Sequence, residues 1–237
     1  MRHLHFTSTE VYRQRVIQLG EQPVRVFNVG ALGVENVMKT NFMSREEIEQ
    51  SLGFEMTDKC LLCTYHPVTL SNMSSEEQVL SLLRALDDYQ DYHIIFTYSN
   101  SDTNSQIIIK RIQEYVDRNV NRCMFIPSLG QRRYFSVLKY MKAVIGNSSS
   151  GIIEVPSFGI PTLDIGDRQK GRIAAESVIH CGYSTAEIKE GLDKVLAYQA
   201  KSIDNPYYKE GTCAAILNTI KNYPLDNLIQ KHFYDIR

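Results

Sequence analysis

From Cys60 onward, short apolar runs alternate with longer helix-like stretches, and this alternation restricts the fold more than any other property of the chain. Cys60–Tyr65, Ile94–Thr97, Cys123–Ile126, Ala143–Ile145 and Thr162–Ile165 read as strands. Between and after them, Ser75–Asp87, Ser105–Val116, Gln131–Tyr140, Ser184–Tyr198 and Thr212–Ile220 read as helices. Strands separated by whole helices cannot pair through tight hairpins, so the pattern predicts an α/β fold with a parallel sheet covered by helices on both faces. The first part of the chain is read the same way. Leu4–Phe6 is a strand end, Thr9–Leu19 a helix with a Thr cap, Val24–Val29 a strand and Val29–Val34 a glycine-bearing turn. Ser44 followed by Glu47 is a capping-box pattern opening a helix to about Leu52.

The segment after Ala143–Ile145 carries the chemistry. The apolar run breaks at Gly146-Asn147 into Ser148, Ser149, Ser150 and Gly151 before apolar residues resume, which is a strand, a polar elbow and a helix start. The first N–H groups of a helix have no internal acceptor and lie at the positive end of its dipole. With serine hydroxyls beside them they suit a phosphate or diphosphate. Glu154, about a turn further, cannot assist phosphates but can accept both hydroxyls of a ribose. The same serines and glycine also compose an ordinary N-cap. Pro156, set several residues into the helix, predicts that it is short or bent.

Taken whole, Gly146–Glu154, Pro156-Ser157-Phe158 and Gly166-Asp-Arg-Gln-Lys-Gly-Arg172 resemble the hydrolysing UDP-N-acetylglucosamine 2-epimerases, in particular the branch that feeds sialic-acid-type sugars. Further blocks agree in the same order: His3–Glu10, Arg15–Glu21, Asn28–Asn36, Thr64-Tyr-His-Pro-Val-Thr69 and Asn100–Asn104. The resemblance runs nearly end to end but matches only the later part of that family. It implies two Rossmann-like domains flanking a cleft, of which residues 1–40 would be a remnant of the first and the crossover from it. Residues 41–222 would be the UDP-binding domain, and 223–237 a tail crossing back toward the first domain.

The resemblance also implies roles, at the carboxyl ends of strands where open α/β sheets bind ligands. His66, directly after Cys60–Tyr65, matches a substrate-contacting histidine, able to donate to the diphosphate or shuttle a proton. Asn100 matches an asparagine near the nucleotide, although the usual preceding proline is Ser99 here. Ser148 and Ser149, assisted by the amide of Gly151, are the expected phosphate ligands and Glu154 the ribose ligand. Arg168 matches an arginine at the nucleotide, where a planar, always-charged fork suits a diphosphate. Arg172 and Lys170 read equally well as solvated surface charges. The implied reaction removes a proton from C2 of the sugar while the bond to UDP breaks, giving a glycal and UDP. Water then adds and N-acetylmannosamine leaves. The acid–base carboxylates of the family lie on its first domain, and nothing here matches them, Glu10, Glu21 and Glu35 included. The chain alone is therefore expected to bind UDP weakly and not to turn over.

Composition excludes other classes. A net charge of −1 over 237 residues gives no field to recruit nucleic acid or an anionic membrane. No stretch approaches the ~20 apolar residues of a bilayer span, and Met1–Phe6 lacks the apolar core of a secretion signal, so the expected location is the cytoplasm. Five dispersed cysteines make no disulfide framework. Cys60 and Cys63 have redox or zinc spacing, but in a strand residues three apart face opposite ways. No metal and no cofactor are expected, and the partner is a UDP-sugar; whether the full-length form is a homo-oligomer is open. Two alternatives remain at this point: a two-domain UDP-sugar glycosyltransferase, which shares the serine/glycine elbow and ribose-binding glutamate, and a non-catalytic nucleotide-binding module.

Overall fold

The computed structural model describes residues 3–68, 72–98, 105–199, 203–224 and 231–235. The chain divides into two compact units, residues 40–204 and residues 1–39 with 205–237.

The larger unit is a six-stranded, fully parallel sheet. Its strands are β3 (Cys60–Thr64), β4 (His93–Thr97), β5 (Cys123–Ile126), β6 (Ala143–Gly146), β7 (Thr162–Ile165) and β8 (Val178–Cys181), in the order β5-β4-β3-β6-β7-β8. Helices α3 (Arg45–Leu52), α4 (Ser75–Leu86), α5 (Ser105–Arg118), α6 (Gly130–Leu138), α7 (Ser150–Ile153) and α8 (Thr185–Ala197) connect or flank them. Leu61, Cys63 and Tyr65, alternating along the strand at β3, share one face. They are buried with Val79 and Leu82 of α4, Ile108 of α5 and Leu192 of α8. Helix starts follow local chemistry: Ser44, Ser74 and Ser184 each accept from the residue three on, whose glutamate accepts the serine's own N–H in return. Each such cap contributes about 1 kcal/mol.

The strand order creates the site. From β3 the chain winds outward through β4 to β5, then returns across β3 to lay down β6 on its other side and winds outward again to β8. The connections leaving β3 and β6 therefore diverge, opening a crevice at the carboxyl ends of these two central strands, the topological switch point of an open α/β sheet.

The smaller unit is a β-α-β piece, β1 (His5–Thr7), α1 (Glu10–Gln18) and β2 (Val26–Asn28), with β1 and β2 parallel, plus α2 (Leu32–Lys39) and α9 (Thr212–Asn222). The boundary expected after residue 222 lies instead before Asn205, because α9 and the segment leading to it are tied to the first residues of the chain. The Thr212 hydroxyl donates to Val29 O at 2.7 Å, Cys213 N–H to the Glu35 carboxylate at 2.6 Å, and Ala31 N–H to Tyr207 O at 2.9 Å. Lys231 pairs with Glu21 at 2.5 Å.

Three elements were not expected, the first a 3-10 turn at Pro23–Arg25 where the strand was read to begin at Val24. α2 replaces the turn predicted at 29–34; Val34 and Val37, at helical spacing, are buried, and that outweighs the cost of Gly33 inside the helix. β8 is a short edge strand with the polar His180 in its middle, which hides it from an apolar-run reading. Cys60 and Cys63 both lie buried in β3. Among the described residues, no helix is long and apolar enough to cross a membrane.

Candidate functional site

At the switch point, β6 ends in Gly146, whose φ of +131° is a conformation side-chain-bearing residues avoid. A Cβ there would sit 1.9 Å from Thr64 O on β3, so only glycine lets the two strand ends approach this closely. Asn147 follows, fully buried, and fastens the two loops together. Its Oδ1 accepts from His66 N–H at 2.7 Å, its Nδ2 donates to His66 O at 2.8 Å, and its own N–H donates to Thr64 O at 3.2 Å. The Asn147 carbonyl in turn accepts from Arg168 Nη1 at 3.1 Å and from the buried Gln169 Nε2 at 2.8 Å. One asparagine thus sets His66, the serine elbow and Arg168 around the same point.

The helix after the elbow is short, as Pro156 foretold: α7 gives way to a 3-10 turn, Val155–Phe158, with Pro156 in its first turn. The donors at its start are partly spent. Gly151 N–H donates to Ser148 O at 3.2 Å, and the amides of Ile152 and Ile153 donate to Ser149 O. Gly151 is buried, its carbonyl accepts from the Thr162 hydroxyl at 2.7 Å, and a Cβ on it would meet Thr162 Cγ2 at 2.7 Å. Its N–H closes the turn in this structure, and glycine is needed for packing on β7. The amides of Ser148, Ser149 and Ser150 donate to no main-chain carbonyl among the described residues.

A cavity of about 350 Å³ opens beside the elbow at the carboxyl ends of β3, β4, β5 and β6. His66, buried itself, and Ser148 line it, together with Thr97, Ser128, Tyr134 and Ser150. Ser149, Gly151, Glu154 and Arg168 do not. Arg168 joins the site through its bond to Asn147 O, while Glu154 follows α7 directly, one turn beyond the elbow. Burial pushes Glu154 up to about 6, against the lowering effect of the Ser150 hydroxyl. Asn100 lies outside the described residues. Asn147, Ser150, Tyr134 and Gln169 were missed as site residues. Asn147 stood inside the recognised elbow, but its partnership with His66 depends on β3 and β6 being neighbours, which chain order does not reveal. A larger cavity, of about 550 Å³, lies against β8 and α8 and is lined by Arg172, His180, Tyr183 and Lys194 but by none of the expected ligands.

Known proteins match this chain along nearly its full length. It is 38% identical to the polysialic acid biosynthesis protein P7 of Escherichia coli over 242 residues, covering all of this chain and 61% of that protein. It is 36% identical to the GDP/UDP-N,N'-diacetylbacillosamine 2-epimerase (hydrolyzing) of Campylobacter jejuni over 241 residues, covering all of this chain and 62% of the relative. The chain thus spans about three fifths of the length of these relatives. Among solved structures, the UDP-GlcNAc 2-epimerase of Methanocaldococcus jannaschii in complex with UDP-GlcNAc and UDP superposes with a TM-score of 0.71 at 14% identity, covering 92% of this chain and 61% of that one. That of Neisseria meningitidis bound to UDP-GlcNAc superposes with 0.67 at 19% identity, covering 92% and 60%. At such identities these two establish the fold. The UDP-N-acetylglucosamine 2-epimerase family model matches residues 1–221, and with relatives of this identity along the whole chain, the protein belongs to that family.

Proposed function

We propose that the β3/β6 switch point grips the UDP half of a nucleotide sugar, and that this chain is the UDP-binding part of a hydrolysing UDP-N-acetylglucosamine 2-epimerase that yields N-acetylmannosamine and UDP when the whole protein is assembled. The observation that carries the reading is the convergence on Asn147, which holds a guanidinium, a buried histidine and a serine elbow at one strand-end crevice. The charge that grows as the sugar–UDP bond breaks is on the departing diphosphate. Donors fixed in advance by buried hydrogen bonds stabilise it without reorganising. Arg168 spends one of its five N–H donors on the elbow and turns the rest of its fork to the diphosphate. Ser148 and Ser149 supply hydroxyls and amides, and His66 a donor or proton carrier. Glu154, ionised above pH about 6, accepts the ribose hydroxyls, and the cavity wall of Tyr98, Pro127 and Leu129 suits the flat base. Asn100 completes the set.

Residues 1–39 and 205–237 are read as the remnant of the first domain. Two strands make no independently stable sheet, and this unit leaves Leu19, Val24, Leu32, Met38, Leu217 and Ile220 exposed. The catalytic carboxylates belong to the remainder of that domain, so the chain binds UDP and does not turn over. Membership of the epimerase family favours this reading over a glycosyltransferase. A second substrate is favoured by a specific observation: relatives in Campylobacter jejuni and Legionella pneumophila, 36% and 33% identical, are named as diacetylbacillosamine 2-epimerases. Calorimetric titration with UDP tests the grip; binding is expected, weakened about tenfold or more by Glu154→Ala, and no detectable heat would refute it. UDP release from UDP-GlcNAc or UDP-N,N'-diacetylbacillosamine at ~1 to 10³ per second would refute the inactivity of the chain alone. The same assay on the protein carrying a complete first domain identifies the preferred sugar.

A further inference from the structure

The larger cavity, of about 550 Å³, lies where the sheet ends. Among the described residues β8 has no strand on its outer side, and its ladder with β7 shows which main-chain groups are spent. Thr162 N–H donates to Ser177 O, and Gly166 N–H to Cys181 O. Every second residue of a parallel strand bonds to a given neighbour. The N–H and C=O of His180, one residue before Cys181, therefore face the open edge. The His180 ring is fixed from behind. The carboxylate of Asp164 on β7, whose side chain is 1% exposed, lies 2.8 Å from its Nδ1, while the imidazole itself is half exposed. A carboxylate accepts, so Nδ1 donates, and Nε2 is the nitrogen left for the cavity that His180 lines.

The other charges around this cavity have partners, with one exception. Lys170 pairs with Asp167 at 3.2 Å, Lys194 pairs with Glu190 at 2.6 Å, and Glu187 closes the capping box with Ser184 at the start of α8. The guanidinium of Arg172 makes no hydrogen bond or ion pair among the described residues. We propose that this cavity is a second ligand site, for a small polyhydroxylated molecule carrying a phosphate, with the phosphate held between Arg172 and His180 and the hydroxyls lying along Glu190 and Lys194. A guanidinium fork matches the oxygens of a phosphate and keeps its charge. The outward N–H and Nε2 of His180 add donors beside it. A carboxylate paired with one lysine still has lone pairs to accept hydroxyls. Tyr183, anchored because its hydroxyl accepts from Asp167 N–H at 2.9 Å, offers a flat apolar wall to the C–H face of a sugar. The volume falls within the ~300–1,000 Å³ of small-molecule sites. The loop from Gly166 to Arg172 bounds this cavity and also carries Arg168 and Gln169 to Asn147, so the two sites share a wall but no ligand group.

The test is amide chemical-shift mapping of the 237-residue chain, titrated separately with glucose 6-phosphate, glucose and inorganic phosphate, for wild type, Arg172→Gln and His180→Asn. Arg172 is exposed, so its replacement leaves the fold intact; asparagine at 180 keeps a donor for Asp164 and removes Nε2. In wild type, glucose 6-phosphate should give saturable shifts at Arg172 and from Ile179 to Tyr183 with a dissociation constant below about 1 mM. Glucose and inorganic phosphate should each bind there about tenfold or more weakly. Each variant should weaken the sugar phosphate about tenfold, the size of one charge-assisted hydrogen bond. Shifts confined to Ser148, Ser149 and Arg168 would put the phosphate in the β3/β6 crevice instead and overturn the proposal. So would binding at β8 that neither variant weakens, inorganic phosphate binding as tightly as the sugar phosphate, or no saturable shift up to about 10 mM. If His180→Asn does not fold, Arg172→Gln alone decides.

Discussion

Replacing Asn147 by alanine removes the side chain that ties the β6 elbow to the loop after β3. Two hydrogen bonds vanish, at 2.7 and 2.8 Å, and both partners are main-chain groups of buried His66. A typical buried bond contributes about 1 kcal/mol net, and a buried group left without a partner costs about 1–3 kcal/mol. Partial relaxation and water entry reduce the second figure, so the variant should lose about 2–4 kcal/mol. Urea unfolding followed by far-ultraviolet circular dichroism reads this as a lower midpoint at unchanged slope. Because His66 and the elbow that positions Arg168 both shift, UDP affinity should fall with it. Asn147→Asp keeps the acceptor toward His66 N–H, but loses the donor and buries a charge, and should be no more stable than the alanine variant near neutral pH. A loss below about 0.5 kcal/mol in Asn147→Ala would refute the claim that this side chain holds the two loops together.

Other consequences are equally specific. Gly146→Ala combines an unfavourable φ with a Cβ 1.9 Å from Thr64 O, and should cost more than about 2 kcal/mol or abolish soluble expression, as measured by the same urea titration. Glu154 is raised from 4.5 to about 6 by burial, so the folded state holds the extra proton between those values and stability falls as pH rises through that window. Glu154→Gln should therefore be more stable than wild type by about 1–2 kcal/mol above pH 7 and lose the advantage below about pH 4.5, as read from melting temperatures across pH. Burial raises the Cys60, Cys63 and Cys123 thiols while Cys213 is exposed. Iodoacetamide should therefore label Cys213 within the folded protein and reach the other three only on unfolding, as followed by peptide mass spectrometry.

How far the fold can be read from the chain depends on which contacts each element uses. β3, β4, β6 and β7 declare themselves because they are buried on both faces and so appear as largely apolar runs, and the edge strand β5 does so because all four of its residues, Cys123–Ile126, are apolar. β8 does not, since an edge strand tolerates His180, nor does α2, whose helix rests on tertiary burial of Val34 and Val37 rather than on propensity. The attachment of α9 to the first residues of the chain rests on bonds such as Thr212 to Val29, across 183 positions, which no local pattern encodes. The elbow itself was legible, because Gly146 through Gly151 is a local device. Its wiring was not: the bonds from Asn147 to His66 span 81 positions and exist only because the chain doubles back to set β6 beside β3. At Gly151 the local pattern shows a helix start, but not the close approach to Thr162 that glycine permits there.

The account stands on the β3/β6 crevice being where UDP sits, and amide chemical-shift mapping of the chain during a UDP titration reports this residue by residue. The predicted result is saturable shifts at Thr64, His66, Asn147 to Ser150 and Arg168. Shifts confined to Ile179, Tyr183 and Lys194 around the larger cavity on β8 and α8, with the elbow unmoved, would contradict it.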